Sequence, residues 1–227
     1  MCRLLEKGLI VGIATGRGSS VKKDLRRLIQ KEYWERILVG YYSGSDIALL
    51  NDEEHPDKAA PMHPALEVVE SLIDGHDQLS LMAEFEYRPK QITVEARNLS
   101  LWTKTKTILK DLVNTTNIQN VRVLESDHSL DIIAPDVSKL NIATSCQQMA
   151  RSIGNPECVL CIGDKGEWPG NDYELLTAPY SLSVDTISSS ATTCWNLARP
   201  GHRGTQATIE YLKCIDAIRG VGRFCLR

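Results

Sequence analysis

The 227-residue sequence predicts an α/β fold in which a parallel sheet covered by helices is interrupted by an inserted α+β unit. Three observations carry that expectation. Residues 9–14 and 158–162 are short runs, apolar on both faces and ending at glycine-containing loops, as strands buried under helices on both sides should be. Residues 79–96 instead alternate apolar and polar positions, the period of antiparallel strands with one wet face. A polar, proline-containing stretch at residues 53–61 separates the two patterns, and the first pattern resumes only after Pro135.

Taken in order, residues 1–7 read as the end of an amphipathic helix closed by Gly8, and residues 9–14 as a buried strand. A helix is expected over 21–29, with Lys22, Lys23, Arg26 and Arg27 on its wet side, and a strand over 37–40. Residues 41–52 read as an extended segment and turn leaving the sheet. The inserted unit, residues 53–134, should contain helices at 63–73 and 101–112 and strands at 79–87, 91–96, 121–124 and 130–133. The core, residues 1–52 and 135–227, then adds a helix at 141–153, a strand at 159–162, a short helix from Asp172, a strand at 181–184 and a closing helix at 205–218.

Bulk composition excludes several classes of function. The net charge is −3 and no dense Lys/Arg stripe is interleaved with aromatics, so no nucleic-acid partner is expected. Apolar runs are too short to span a bilayer and the N-terminus has no secretory pattern, which predicts a soluble cytoplasmic protein with no membrane partner. The seven cysteines lack the density of a secreted disulfide scaffold. Cys158 and Cys161 have CxxC spacing, but no second ligand pair accompanies them, and two small apolar side chains in a buried strand explain them better.

Three loops leave strands at what should be one edge of the sheet, where open α/β folds bind their ligands. The first is Thr15-Gly16-Arg17-Gly18. Its hydroxyl can donate to an anionic oxygen and its glycine backbone admits a close approach, although Thr-Gly also serves as an ordinary helix cap. The second is Pro135-Asp136-Val137-Ser138-Lys139, where Lys139 offers a compact cation for a phosphate, or is simply solvated. The third is Gly163-Asp164-Lys165-Gly166-Glu167-Trp168-Pro169-Gly170-Asn171-Asp172. Its turn residues bring Asp172 back toward Asp164, and two carboxylates can hold or orient Mg²⁺. Acidic helix-entry residues are the plainer account of the same loop.

The order of these loops resembles motifs two, three and four of the haloacid dehalogenase-like (HAD) phosphohydrolases, a fold with a Rossmann-like parallel sheet. The insert resembles the α/β cap of the Cof-type and sucrose-phosphate phosphatase-like subgroup. The resemblance implies a Mg²⁺-dependent phosphatase acting on a small phosphorylated metabolite, a sugar phosphate, through an aspartyl-phosphate intermediate. By resemblance Thr15 binds the transferring phosphoryl group, Lys139 offsets negative charge on it, and Asp164 and Asp172 serve the metal. Gly16 and Arg17 then face substrate, as do His202 and Arg203 in the segment before the last helix, which otherwise reads as a polar helix entry capped by Thr205.

Two departures from the family pattern matter. Six residues, Lys165 to Gly170, separate Gly-Asp from Asn-Asp, where these relatives have only a couple. No Asp-x-Asp follows an apolar strand before Thr15, and Asp127, Asp131 and Asp136 lie in or beside the insert and cannot replace it. The reading is therefore of a chain lacking roughly twenty to thirty N-terminal residues, one helix and one strand, relative to a complete relative. Without that first strand, its neighbours in the sheet must pair directly or leave edges that invite oligomers. The competing function is a pseudophosphatase or truncated fragment that binds a phosphorylated ligand or a protein partner without turnover. A nucleotide-binding domain using Thr15-Gly16-Arg17-Gly18 is disfavoured, because the third glycine and a suitably spaced acid are missing. His63 and His76 read as surface residues, and Trp168 as a cover for the site or a local packing group.

Overall fold

The apolar run at residues 9–14 forms β1 (Val11–Ala14), preceded by the short α1 (Cys2–Glu6) and followed by α2 (Ser19–Leu28). β2 (Ile37–Tyr41) pairs in parallel with β1, from Val11↔Ile37 to Ala14↔Gly40. Every residue of β2 is buried, as a central strand covered on both faces requires. The segment expected to leave the sheet instead folds back. β3 (Asp46–Leu49) pairs antiparallel with β2, because the turn after Tyr41 reverses the chain within four residues.

These coordinates are a computed structural model and describe all residues except 58, 116–117, 119–120, 127–128, 191 and 226–227; Asp127 therefore lies outside the described residues. The chain divides into two compact units, residues 1–56 with 138–227, and residues 57–137.

The second unit begins with α3 (Pro64–Asp74), and His63 caps it by accepting from the Ala65 amide at 3.2 Å. The strand expected from residue 79 opens with a single helical turn, α4 (Leu79–Met82), before β4 (Ala83–Arg88). Leu79 and Met82 lie three apart, so one helical turn buries both. β5 (Gln91–Ala96), α5 (Trp102–Thr115), β6 (Arg122–Glu125) and β7 (Ser129–Ile133) follow, and the strands form one antiparallel sheet in the order β4-β5-β7-β6. Leu66, Val69 and Ile73 of α3 and Leu109 and Val113 of α5 pack with Ile92, Val94, Leu130 and Ile132 of the sheet. Gln91, Thr93 and Asp131 form a polar network, with Asp131 Oδ1 accepting from Gln91 Nε2 at 3.0 Å and Thr93 Oγ1 at 2.8 Å.

Back in the first unit, α6 (Leu140–Ser152) is followed by β8 (Cys161–Lys165) and β9 (Ser181–Thr186), a parallel pair. β8 starts two residues and ends three residues later than the strand expected at 159–162, because its partner β9 continues to Thr186 and the ladder resumes at Lys165 after a register shift at Asp164. The closing helix also differs. α7 (Thr205–Cys214) stops four residues early, and β10 (Ile215–Ile218) and β11 (Val221–Phe224) make an antiparallel hairpin. Arg219 and Gly220 both adopt left-handed backbones (φ +49 and +81), the two-residue turn that suits strand twist.

The strands of this unit do not join in one sheet. Among the described residues the orders are β1-β2-β3 and β8-β9, and no ladder links β1 to β8. One helix spans both. Ile142, Ala143 and Cys146 of α6 cluster with Leu38 of β2 and Cys161 of β8. Cys146 sits so close to β1 that a Cβ on Gly12 would lie 2.6 Å from its sulfur. Burial pushes the Cys146 thiol up to about 12 and the Cys161 thiol to about 11, which fits two small packing groups. No helix among the described residues is long and apolar enough to cross a membrane.

Candidate functional site

β8 delivers Asp164 near the carboxyl end of its ladder, beside a register shift opposite β9. Such irregularities re-aim side chains. The loop that follows returns to the strand it left. Asp172 Oδ2 accepts from the Asp164 amide at 2.9 Å, so the two acidic residues are neighbours despite the six-residue spacer. Only glycine permits this at position 163, since a Cβ there would lie 2.5 Å from Asp172 Oδ2. Trp168 packs edge-to-face on Tyr173 at 5.5 Å and remains half exposed.

Lys139 reaches the same place from α6. It is the N-cap position of that helix, and Ser138 Oγ supplies the capping contact to the Leu140 amide at 3.1 Å. The lysine side chain is thereby left to extend to Asp172 Oδ1, 2.7 Å away. Both partners are buried, with side chains 7% and 13% exposed. Burial disfavours charge on Asp172, but the ammonium of Lys139 and the Asp164 amide outweigh it and hold its pKa below the usual carboxylate range. Asp164 is pushed the other way, first by burial and then by the negative charge of Asp172. Asp172 is thus the fixed, fully engaged anion. The Asp164 carboxyl, in turn, hydrogen-bonds the side chain of Asp172.

Thr15 stands at the end of β1, its amide donating to Gly40 O at 3.0 Å. Its hydroxyl oxygen accepts from the Arg17 amide at 3.1 Å, which leaves its proton to donate elsewhere. The Arg17 guanidinium turns to Asp24 at 2.7 Å, an exposed ion pair. His202 bonds Glu210 at 3.0 Å and Arg203 reaches Asp185 at 3.3 Å, so each of these three basic residues meets an acid of its own surroundings.

Two features escaped sequence reasoning. The first is Asn171, whose amide oxygen is buried without a hydrogen-bond partner. The second is the turn Tyr42-Ser43-Gly44, with three successive left-handed backbones at φ +47, +60 and +84. For Tyr and Ser that conformation costs on the order of 1–2 kcal/mol each. The turn nonetheless joins the first two loops. The Ser43 amide donates to Thr15 O at 2.8 Å and the Tyr42 amide to Arg17 O at 3.3 Å. Asn141 Nδ2 of α6 donates to Gly44 O at 3.3 Å. The only signal in the sequence was Gly44 itself, following an all-apolar strand.

No family model and no curated protein matches the chain. Solved structures do. The C-terminal domain of C. albicans trehalose-6-phosphate phosphatase superposes with a TM-score of 0.58 at 14% identity, over 88% of this chain and 77% of that one. The sucrose-phosphatase of Synechocystis, solved with sucrose and phosphate, gives 0.57 at 16% identity, over 90% and 83%. Aspergillus fumigatus trehalose-6-phosphate phosphatase gives 0.51 at 17%, over 88% and 78%. At such identities what is shared is architecture, and the chain has the haloacid dehalogenase-like fold: an α/β core interrupted by an inserted α/β cap unit.

Proposed function

We propose that this chain forms the phosphoryl- and metal-binding part of a phosphomonoester hydrolase site, taking a small phosphorylated metabolite of the sugar-phosphate class together with Mg²⁺. One observation carries the reading. A buried lysine and two carboxylates, Lys139, Asp172 and Asp164, meet at the carboxyl end of a parallel strand, in a fold shared with proteins named as sugar-phosphate phosphatases.

The donor set suits a hard cation. Asp164 offers carboxylate oxygens not locked by Lys139, and Asn171 holds a buried amide oxygen with no partner. Mg²⁺ keeps several waters and needs only one or two protein carboxylates beside a substrate phosphate, so a set this small is sufficient. Among the described residues no group of three or more His, Cys, Asp or Glu could hold a metal, so the proposed set is Asp164 and Asn171 with the substrate phosphate. When bound, the ion would neutralise charge on the phosphoryl oxygens. The remaining work falls to the protein. Thr15 donates its proton to a phosphoryl oxygen, Lys139 keeps a positive charge beside the group, and Asp172 holds both Lys139 and the Asp164 backbone in place.

The sequence contains no Asp-x-Asp. Residues 1–227 are accordingly proposed to bind a phosphomonoester without turning it over, the aspartyl nucleophile not being among them.

The test is calorimetric titration of trehalose 6-phosphate, sucrose 6-phosphate and IMP with and without Mg²⁺, with phosphate release measured in parallel. The expected result is Mg²⁺-dependent binding of a sugar phosphate, weakened about ten-fold or more in Asp164→Ala, with no phosphate released. Absence of binding to every phosphomonoester would sink the reading. Turnover abolished by Asp164→Ala would establish the phosphatase and overturn the missing nucleophile.

A further inference from the structure

The Tyr42-Ser43-Gly44 turn has no explanation in the hairpin it closes. A short hairpin turn with left-handed backbones is ordinarily built from Asn, Asp and Gly. Here the first two positions are Tyr and Ser, at φ +47 and +60. Ser43 bears a second burden. Its side chain is buried, and its hydroxyl has no hydrogen-bond partner. Strain and an unmade hydrogen bond in one residue persist only where the surroundings over-determine them, and such residues gather at functional sites.

The turn's hydrogen bonds point outward to two different loops. Ser43 and Tyr42 amides donate to Thr15 O and Arg17 O. The Tyr42 ring lies against Gly18, where a Cβ would come within 2.2 Å of its hydroxyl. On the other side Gly44 is bonded by Asn141 and packs so tightly on the loop before α6 that a Cβ would lie 2.3 Å from Ser138 O and 3.4 Å from Lys139 Cα. The turn is in contact with both the segment that presents Thr15 and the segment that presents Lys139.

We propose that Tyr42-Ser43-Gly44 is a positioning clamp that sets the spacing between Thr15 and Lys139, and that Ser43 holds its unfavourable conformation for that purpose. The inference rests on the phosphomonoester reading of the same site. Ser43 acts through Thr15 and Lys139 and need not touch the ligand. A group displaced by about 1 Å in such a site can cost a large factor in function, which is reason enough to retain a strained turn.

The experiment compares wild type with Ser43→Gly, which accepts a left-handed backbone and deletes the orphan hydroxyl, and with Ser43→Ala, which deletes the hydroxyl alone. Melting temperature, titration of inorganic phosphate with Mg²⁺, and the amide NMR signals of Thr15 and Lys139 are read for each. The expected outcome for Ser43→Gly is a melting temperature unchanged or up to about 4 °C higher. Phosphate affinity should fall about ten-fold, and both amide signals should shift. A part that served only the hairpin would give the same thermal gain with affinity and both signals unmoved, and that result overturns the clamp. If the wild type binds neither inorganic phosphate nor any of the phosphomonoesters, the phosphomonoester reading fails instead. The amide signals then decide the clamp alone: shifts at both residues sustain it, a shift at one or neither rejects it.

Discussion

In the inserted unit two hairpins, β4 with β5 and β6 with β7, are joined by the longer-range β5–β7 pairing, and all four strands complete one antiparallel sheet. In the core, β1 and β2 form a parallel pair extended by β3, β8 and β9 form a second parallel pair, and among the described residues no ladder joins the two. Antiparallel neighbours can be joined by a tight turn, as in each of these two hairpins. Parallel neighbours need a crossover of about a dozen residues or more, and among the described residues neither core pair is extended by the other. The core therefore draws its coherence from a helix and from loops. α6 packs across both sheets, and the Lys139–Asp172 pair ties the start of α6 to the loop after β8.

That contrast can be broken most forcefully at Lys139. Removing it in Lys139→Ala leaves Asp172 buried with an uncompensated charge, a loss of about 3–5 kcal/mol. Hydrogen exchange resolved by segment should show faster opening throughout residues 138–186 and unchanged exchange in residues 57–137. Equal loosening of the inserted unit would refute the division of labour. The loss should shrink in acid. The pKa of Asp172 is depressed in the fold, so its stabilising contribution is present above the unfolded carboxylate value of about 3.9 and disappears as pH falls through the lower folded one.

The next effect needs no mutation. Amides of β5 and β7, inside the four-stranded sheet, should exchange at least about ten-fold more slowly than those of β1 and β8, each paired on one side only among the described residues. Comparable protection in β1 and β8 would mean that something other than these described ladders guards them.

The smallest effect sharpens the site rather than the sheets. Asp164 has its pKa raised by burial and by Asp172, so its ionised form is a burden to the fold at neutral pH. In Mg²⁺-free buffer Asp164→Asn should therefore be slightly more stable than wild type above the raised folded pKa. The difference should fade as pH drops below about 3.9, where both folded and unfolded Asp164 are protonated. A variant less stable than wild type at pH 7 would show that the Asp164 charge is already used within the protein.

Much of this was legible from residue patterns, and the misses have physical causes. The runs at residues 9–14 and 158–162 revealed parallel strands because such strands read as near-continuous apolar runs, although β1 and β8 are only partly buried, with Cys161 alone fully covered. The second run gave no sign that β8 continues through Asp164, since pairing with β9, not hydropathy, sets the strand's end. The helix expected over 205–218 kept its periodicity past Cys214, but Ile215, Ile218 and Val221 suit a strand equally, and the left-handed pair at Arg219 and Gly220 decided for the hairpin. Thr15, Lys139, Asp164 and Asp172 could be picked out by type and order. The opposite states of the two carboxyls could not.

By itself the sequence determined the alternation of apolar runs and loops, hence the α/β core, the inserted sheet, and which polar residues sit at strand ends. Side-chain periodicity and turn chemistry are local properties, readable residue by residue. Only the tertiary structure decided that Asp172 belongs to Lys139, that burial and Asp172 raise the pKa of the Asp164 carboxyl, and that a strained turn at Ser43 links Thr15 to the Lys139 loop. Those facts depend on atoms brought together from segments tens of residues apart, where burial and charge set each group's state, and no local pattern encodes that proximity.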